Sequence, residues 1–290
     1  MNILLLGATG QIGFELHRAL SLLGDVTAPG RDKLNLMDEV AVTSFLHSLN
    51  IDLIVNAVGW TSVDGAEENP AAARRLNTEL PQQLAQHAAS YDLKLVHYSS
   101  EYVYSGKGTS QWQESSIADP LSVYGKTKLD GDKAIQESGC NYLIFRTSWV
   151  YSARGSNFMK TILDLAKKKA RINVVADQVG SPTAARLVAQ ITAMAVHRQL
   201  QSGLYHLASR GHVSWHRFAM TILKLAQDAG EELILQPQNT HAISSAEYIT
   251  LAKRPLNSRM AVTKLEKALN IELPSWEREL ELTLNEYLEK

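Results

Sequence analysis

The chain has 290 residues, 45% of them hydrophobic, which suffices for one large core or two smaller lobes sharing an interface. Lys and Arg number 29 against 30 Asp and Glu, a net charge of -1, so no electrostatic footprint for nucleic acid or an anionic membrane is expected and a small-molecule partner is. A single cysteine, Cys140, excludes an internal disulfide, the N-terminus carries no secretory pattern, and the longest apolar runs are far too short to span a bilayer, which together predict a reducing cytoplasm.

From Met1 to Val150, short apolar runs alternate with amphipathic stretches of helical length, the signature of βαβ units around a parallel sheet. The first predicted strand, Asn2 to Leu6, runs into Gly7, Gly10 and Gly13 at the opening of a helix over Gln11 to Leu23. Glycines let the backbone turn tightly and approach a pyrophosphate, and the free amides of a helix N-terminus supply donors and a favourable dipole. Gly7, Gly10, Gln11, Ile12 and Gly13 are therefore candidate cofactor-binding residues. A plain strand-to-helix turn would use the same glycines, but the flanking strand and helix favour the dinucleotide reading. The second strand, Asp25 to Ala28, lacks the acidic residue that would hold a ribose 2′-hydroxyl; Arg31 stands just beyond, and a guanidinium suits a 2′-phosphate. NADPH is the expected cofactor, with NADH as the alternative, and a solvated loop charge is the competing reading of Arg31.

A helix over Glu39 to Ser48, a strand over Asp52 to Ala57 and a helix over Pro70 to Tyr91 come next. The strand Lys94 to Ser99 leads into Ser100-Glu101-Tyr102-Val103-Tyr104 at the carboxyl edge of the sheet, where ligands bind in such folds. In the following helix, Ser122 to Glu137, Tyr124 and Lys128 lie four apart and share one face. An ammonium beside the phenol would favour the phenolate and bring proton transfer into range, and only Tyr124 among ten tyrosines has a lysine four residues on. A strand over Tyr142 to Arg146 completes this half. Helices are predicted near Phe158 to Lys169, Ala184 to Leu200, Trp215 to Ala229 and Ser275 to Leu288, with one strand, Gly203 to Leu207, returning to the main sheet. The expected fold is α/β: a Rossmann-like doubly wound parallel sheet with a smaller, interleaved C-terminal α/β substrate lobe. Residues 1–150, with a returning segment near 184–210, would bind NAD(P), and residues 151–183 and 211–290 would form the substrate lobe.

Ser100, Tyr124 and Lys128 match the Ser/Thr, Tyr, Lys triad of the extended short-chain dehydrogenase/reductase superfamily. Longer strings resemble the dTDP-4-dehydrorhamnose reductase family: Asn56-Ala57-Val58-Gly59-Trp60-Thr61, Ser122 to Lys128, Phe145 to Tyr151, Asn157-Phe158, Asp177 to Thr183, Ser214-Trp215 and Arg254 to Ser258. The resemblance runs nearly end to end. It implies reduction of the C4 ketone of dTDP-4-dehydro-L-rhamnose by hydride from the nicotinamide. Tyr124 would be the general acid, Lys128 would bind the nicotinamide ribose and tune Tyr124, and Ser100 would orient the ketone. Asn35, Leu36, Ala57 and Val58 would lie along the cofactor, although the family more often has Asp where Asn35 stands. Tyr102, Trp149, Asn157 and Arg254 would contact the sugar nucleotide. The family usually carries Asp where Glu101 stands and Phe in place of Tyr104, and Gly65 replaces a common Lys. Glu101 is counted with the catalytic residues as a charge-conserving replacement; an ordinary solvated loop charge is its competing reading.

Two other reaction assignments stay open at this point: reduction of another nucleotide-linked 4-keto-6-deoxy sugar, and a non-catalytic relative resembling the β subunit of methionine adenosyltransferase. A nucleotide-sugar partner, no nucleic acid, no membrane and a homodimer are the associations expected. His206, His212 and His216 lack a partner set at zinc-like spacing, so surface or capping roles and no metal are expected. Trp60, Trp112, Trp215 and Trp276 read as packing residues, because no basic stripe interleaves them.

Overall fold

Along every central strand successive side chains face opposite sides of the sheet, and both sides are apolar. Ile3 and Leu5, Leu53 and Val55, Val96 and Tyr98, and Leu143 and Phe145 enter one core, whereas Leu4 and Leu6, Ile54, Leu95 and Ile144 enter another. A strand buried on both faces needs helices on both, and the chain supplies them. The structure is a computed structural model that describes residues 1–289. Its first half runs β1 (Asn2–Leu6), α1 (Gln11–Leu20), β2 (Asp25–Thr27), α2 (Glu39–His47), β3 (Leu53–Asn56), α3 (Val63–Glu68), α4 (Pro70–Arg74), a π turn (Arg75–Glu79), α5 (Leu80–Ser90), β4 (Lys94–Ser100), a 3-10 turn (Glu101–Val103), α6 (Val123–Glu137) and β5 (Asn141–Thr147). The second half runs β6 (Val150–Tyr151), α7 (Phe158–Ala166), β7 (Ile172–Val175), β8 (Val179–Gly180), β9 (Thr183–Ala184), α8 (Ala185–His197), β10 (Gly203–His206), β11 (Val213–Ser214), α9 (Trp215–Asp228), β12 (Thr240–Ile243), β13 (Asn257–Ser258), α10 (Thr263–Leu269) and α11 (Trp276–Leu288).

The main sheet has the order β2-β1-β3-β4-β5-β10 and every pairing in it is parallel. This is the doubly wound α/β fold expected from the alternation of elements. Strand order reverses between β1 and β3, so the loops after these two strands splay apart and leave a crevice at their carboxyl ends. Arg186 on α8 donates to both carboxylate oxygens of Glu15 on α1, at 3.1 and 3.2 Å, and to Glu286 on α11 at 2.8 Å, which ties three helices together. Short parallel pairs, β6 with β9 and β7 with β12, and the β11-β8-β13 sheet give the C-terminal part a regularity that its irregular sequence pattern did not predict.

The helix predicted over Pro70 to Tyr91 is interrupted by the π turn. Pro81 has no N–H to offer the carbonyl of Asn77, and the helix accommodates the lost bond by one widened turn. This has a use. The fully buried Asn77 accepts from Trp60 N at 2.9 Å and donates to Trp60 O and Thr127 Oγ1, both at 3.1 Å, and so fixes the loop after β3 to α6. Gly131 lets α6 come that close, because a Cβ there would overlap the Asn77 carbonyl oxygen. We expect Gly131→Ala to destabilise the protein by about 1–3 kcal/mol by overpacking, although alanine favours a helix over glycine by about 1 kcal/mol. Urea unfolding measures this, and an equal or higher midpoint would mean the helices separate freely.

Candidate active site

A cleft of about 680 Å³ follows the crevice from Gly7 to Trp215. At one end Gly7 adopts φ +87, and a Cβ there would stand 2.9 Å from the Ala57 backbone, so β1 and the loop after β3 meet only because this residue is glycine. A Cβ on Gly13 would overlap the Gly7 carbonyl, which fixes how closely α1 starts behind the strand. Gly10 is the N-cap of α1 and supplies no side chain to the first turn, so the helix presents uncapped amides to the cleft. An anion is the natural partner of such an end, and the residues present fit a dinucleotide pyrophosphate. Gly7, Gly10, Gln11, Ile12, Arg31, Leu36, Ala57 and Val58 all line this part of the cleft.

The other end is built from the carboxyl edges of β4 and β5 and from α6, whose N-cap Ser122 accepts from Gly125 N at 3.2 Å. Ser100, Glu101, Tyr102, Tyr124, Lys128, Ser148 and Trp149 converge there. Glu101 is 3% exposed, which removes the solvated-loop reading. Ser100 Oγ donates to its Oε2 at 2.8 Å and Ser148 Oγ to its Oε1 at 3.4 Å. Burial nevertheless outweighs these bonds and pushes the carboxyl up to about 7. Ser148 was missed in the sequence, although its place directly after β5 at the same sheet edge is the signal that finds it.

Tyr124 and Lys128, one turn apart on α6, both line the cleft. Lys128 Nζ donates to Tyr98 O at 2.9 Å, and a Cβ on Gly59 would stand 2.9 Å from it. Burial pushes the Tyr124 phenol well up, and the Ser100 hydroxyl draws it part of the way back. Burial also brings Lys128 down to about 8 against the opposing pull of Asp132. The phenol is thus held protonated, the state an acid needs. Tyr102 packs edge-on against Tyr124, with ring centroids 5.3 Å apart, and its own hydroxyl is pushed up to about 12, again by burial.

Four candidates from the sequence stand apart from the cleft lining, Gly13 behind the loop and three polar side chains. Asn35 Oδ1 turns back to accept from Met37 N at 3.1 Å, a local turn that its short side chain favours over reaching into the cleft. Asn157 caps α7 by accepting from Lys160 N at 3.1 Å, while its Nδ2 donates to Gln11 Oε1 at 2.9 Å and Ser152 O at 2.7 Å, which uses both ends of the amide structurally. Arg254 bridges Asp64 Oδ2 at 2.6 Å and Tyr102 OH at 3.2 Å, so it steadies a cleft residue from behind. Conversely Trp215, expected to be packing, lines the cleft and stacks on Trp149 at 3.5 Å with an interplanar angle of 8°. Trp149 itself is held at φ +46, a left-handed backbone that costs about 1–2 kcal/mol and aims its ring at the cleft. His206, expected near the surface, is fully buried between Tyr104 and Ala261.

A carboxyl raised from 4.5 to about 7 on folding binds its proton more tightly in the native state, so its contribution to stability is present below pH 4.5 and is lost as pH rises through about 7. Glu101→Gln carries no such charge. Relative to wild type at pH 4.5, the variant should gain on the order of 2–3 kcal/mol by pH 8, read by urea unfolding at the two values. Parallel pH dependences would show that Glu101 does not ionise in the buried site.

The family model of the RmlD substrate binding domain matches residues 1–289. The dTDP-4-dehydrorhamnose reductase of Salmonella typhimurium is 41% identical, over 99% of this chain and 98% of that one. Among solved structures, a dTDP-4-dehydrorhamnose reductase from Clostridium acetobutylicum superposes with a TM-score of 0.92 at 28% identity, covering 100% of both chains. Another, from Bacillus anthracis and in complex with NADP, superposes with a TM-score of 0.90 at 30% identity, over 98% of this chain and 99% of that one. With the match spanning both the sheet and the C-terminal elements, the chain belongs to the dTDP-4-dehydrorhamnose reductase family.

Proposed function

We infer that this protein reduces the C4 ketone of dTDP-4-dehydro-L-rhamnose to dTDP-L-rhamnose with NADPH. The observation that carries the reading is the convergence of Ser100, Tyr124 and Lys128 at one end of a cleft whose other end is an uncapped helix N-terminus. The α1 amides and Gly7-to-Gly13 loop would hold the pyrophosphate, Arg31 the 2′-phosphate, and Leu36, Ala57 and Val58 the nucleoside edges. When bound, NADPH supplies the hydride. Lys128 would hold the nicotinamide ribose, and Ser100 would orient the ketone oxygen toward Tyr124. As hydride arrives at C4, the oxygen becomes an alkoxide, and the Tyr124 phenol delivers its proton to it. In the free site Glu101 accepts from Ser100 and Ser148; when the ketone takes the single Ser100 proton, Glu101, its carboxyl raised to about 7, would in its protonated form donate to Ser100 Oγ and so hold the hydroxyl that orients the ketone. Trp149 and Tyr102 would supply the flat walls for the sugar. A reducing cytoplasm is the compartment we assign to the reaction, since Cys140 is the single cysteine and is buried and free.

A non-catalytic role is not favoured, because a binding module has no use for a phenol kept protonated beside a buried ammonium. Tyr124→Phe should lower turnover by about a hundredfold or more while NADPH still binds, since the ring remains and only the transferable proton is gone. The assay follows loss of NADPH absorbance with dTDP-4-dehydro-L-rhamnose, and near-normal turnover in that variant would remove Tyr124 from the chemistry.

Arg31 is exposed and lines the cleft beside Pro29 and Gly30. A charge-assisted contact to a 2′-phosphate contributes on the order of 1.5–3 kcal/mol, so Arg31→Ala should narrow the preference for NADPH over NADH by roughly ten- to a hundredfold. Equal wild-type affinities for the two cofactors, measured by fluorescence titration, would contradict this.

A further inference from the structure

Behind the cleft, a chain of buried, hydrogen-bonded polar groups runs from the C-terminal part of the protein to Asp132 on α6. The carbonyl of Ala261 can only accept, so at 3.0 Å it fixes the proton of His206 on Nδ1. His206 Nε2 is then an acceptor, and Tyr104 OH donates to it at 2.6 Å. The Tyr104 oxygen accepts from Arg146 Nη1 at 2.9 Å, and Arg146 Nε donates to Asp132 Oδ2 at 3.0 Å. Trp112 stacks on Tyr104 with an interplanar angle of 1°, which holds the ring flat in the middle of the chain. Tyr104, Asp132 and His206 are fully buried and Arg146 is 5% exposed. Tyr104 OH also lies 3.1 Å from the Gln113 carbonyl, a second acceptor for its one hydrogen, whereas Arg146 can only donate, to Tyr104 and to Asp132.

Asp132 lies one helical turn beyond Lys128 on the face of α6 that carries Tyr124. We propose that Asp132 is a positioning residue for the reduction: it is the counter-ion that keeps the buried Lys128 ammonium charged, and Arg146, Tyr104 and His206 hold it in place. The proposal rests on the reading that Lys128 binds the nicotinamide ribose. Arg146 cannot shed its proton, so Asp132 stays ionised to neutralise it. The second oxygen of Asp132 makes no bond to Arg146, and the Ser99 hydroxyl on β4 is the neutral group that faces the carboxylate. Its charge is therefore left to act on its surroundings, and it supports the ammonium against burial.

The other ionisable groups on the elements packed around Lys128 do not replace it. His97 on β4 is kept neutral by burial and by the lysine itself. Tyr98 on β4 and Tyr124 on α6 are buried phenols held protonated. Arg146 on β5 and Arg75 on the π turn are cations, and Arg75 is turned toward Gln83. Glu101 is engaged with Ser100 and Ser148. On the outer helices Asp64 pairs with Arg254, Glu67 accepts from Val123 N and Arg74 pairs with Glu79, while Glu68 and the partly exposed His87 lie farther out.

The test reads NADPH affinity against pH by fluorescence titration, which follows Lys128 without involving the ketone chemistry at Glu101. Wild-type affinity should hold through neutral pH and fall above about pH 8 as the ammonium is lost. Asp132→Leu combined with Arg146→Met removes both charges of the buried pair, an exchange that such sites tolerate well. In that variant, and in Asp132→Asn, the fall should move to lower pH by about one to two units, with affinity at pH 5 regained to near the wild-type value. A merely structural role for Asp132 would weaken binding equally at every pH. A wild-type fall already complete below about pH 6.5, or a fall that stays in place in either variant, overturns the proposal. Lys128→Met separates the two readings: if it binds NADPH as wild type does at every pH, the placement of Lys128 at the ribose has failed rather than its coupling to Asp132.

Discussion

An ammonium that is 4% exposed has lost most of its water, and the geometry of the site follows from what replaces that water. Lys128 receives the Tyr98 carbonyl on one side and the field of Asp132 one turn away, while Gly59 clears the space in front of it. A buried lysine without such groups neutralises instead of staying charged. Supplying them requires α6 to lie close against both β4 and the π turn. Gly125 and Gly131 permit this approach, since a Cβ on either would overlap a backbone carbonyl oxygen, of Tyr102 and Asn77 respectively. The helix therefore carries two kinds of information along its length, small residues where it must approach and ionisable ones where it must act.

The same burial sorts the acids. Glu101, Tyr124 and Lys128 are all buried, and desolvation moves each toward its neutral form: the carboxyl and phenol upward, the ammonium downward. The phenol ends up far from release, the carboxyl near neutrality and the ammonium just above it. For the proposed reduction this order is useful, because Tyr124, proposed as the acid, would hold its proton until alkoxide charge develops next to it. Lys128 sits on the same helix as Tyr124 and is anchored by the Tyr98 carbonyl.

Much of this was legible in the sequence because it is local. Strand alternation, the glycines after β1 and the i, i+4 relation on α6 are properties of short segments, and the strings from Asn56 to Ser258 carry the family. What was not legible is set by side-chain reach across the fold. Asn35 and Asn157 look like binding amides in a string, yet their side-chain oxygens accept from backbone N–H groups two and three residues on. Trp215 looks like one more core aromatic until its stacking on Trp149 places it at the cleft. His206 lies two residues from nothing that marks it, and its partners Tyr104 and Ala261 are 102 and 55 positions away. The π turn was hidden for a different reason: Pro81 falls inside the amphipathic stretch from Pro70 to Tyr91, whose helical spacing does not show how the turn before it widens.

The two departures from the family pattern in the string after β4 fall on opposite sides of one short turn, and the structure treats them separately. Glu101 turns toward the cleft, where its longer side chain reaches Ser148 on the neighbouring strand edge, so the added methylene is taken up by a partner on β5's far end. Tyr104 turns away from the cleft, under Trp112, and its hydroxyl joins Arg146 to His206. A phenylalanine there would leave the His206 Nε2 and one Arg146 N–H without this shared partner in a buried place, at a cost of about 1–3 kcal/mol for an unmet group. Hydroxyl and buried histidine therefore belong together, and Tyr104 is explained by what it satisfies behind the site rather than by anything it offers the substrate.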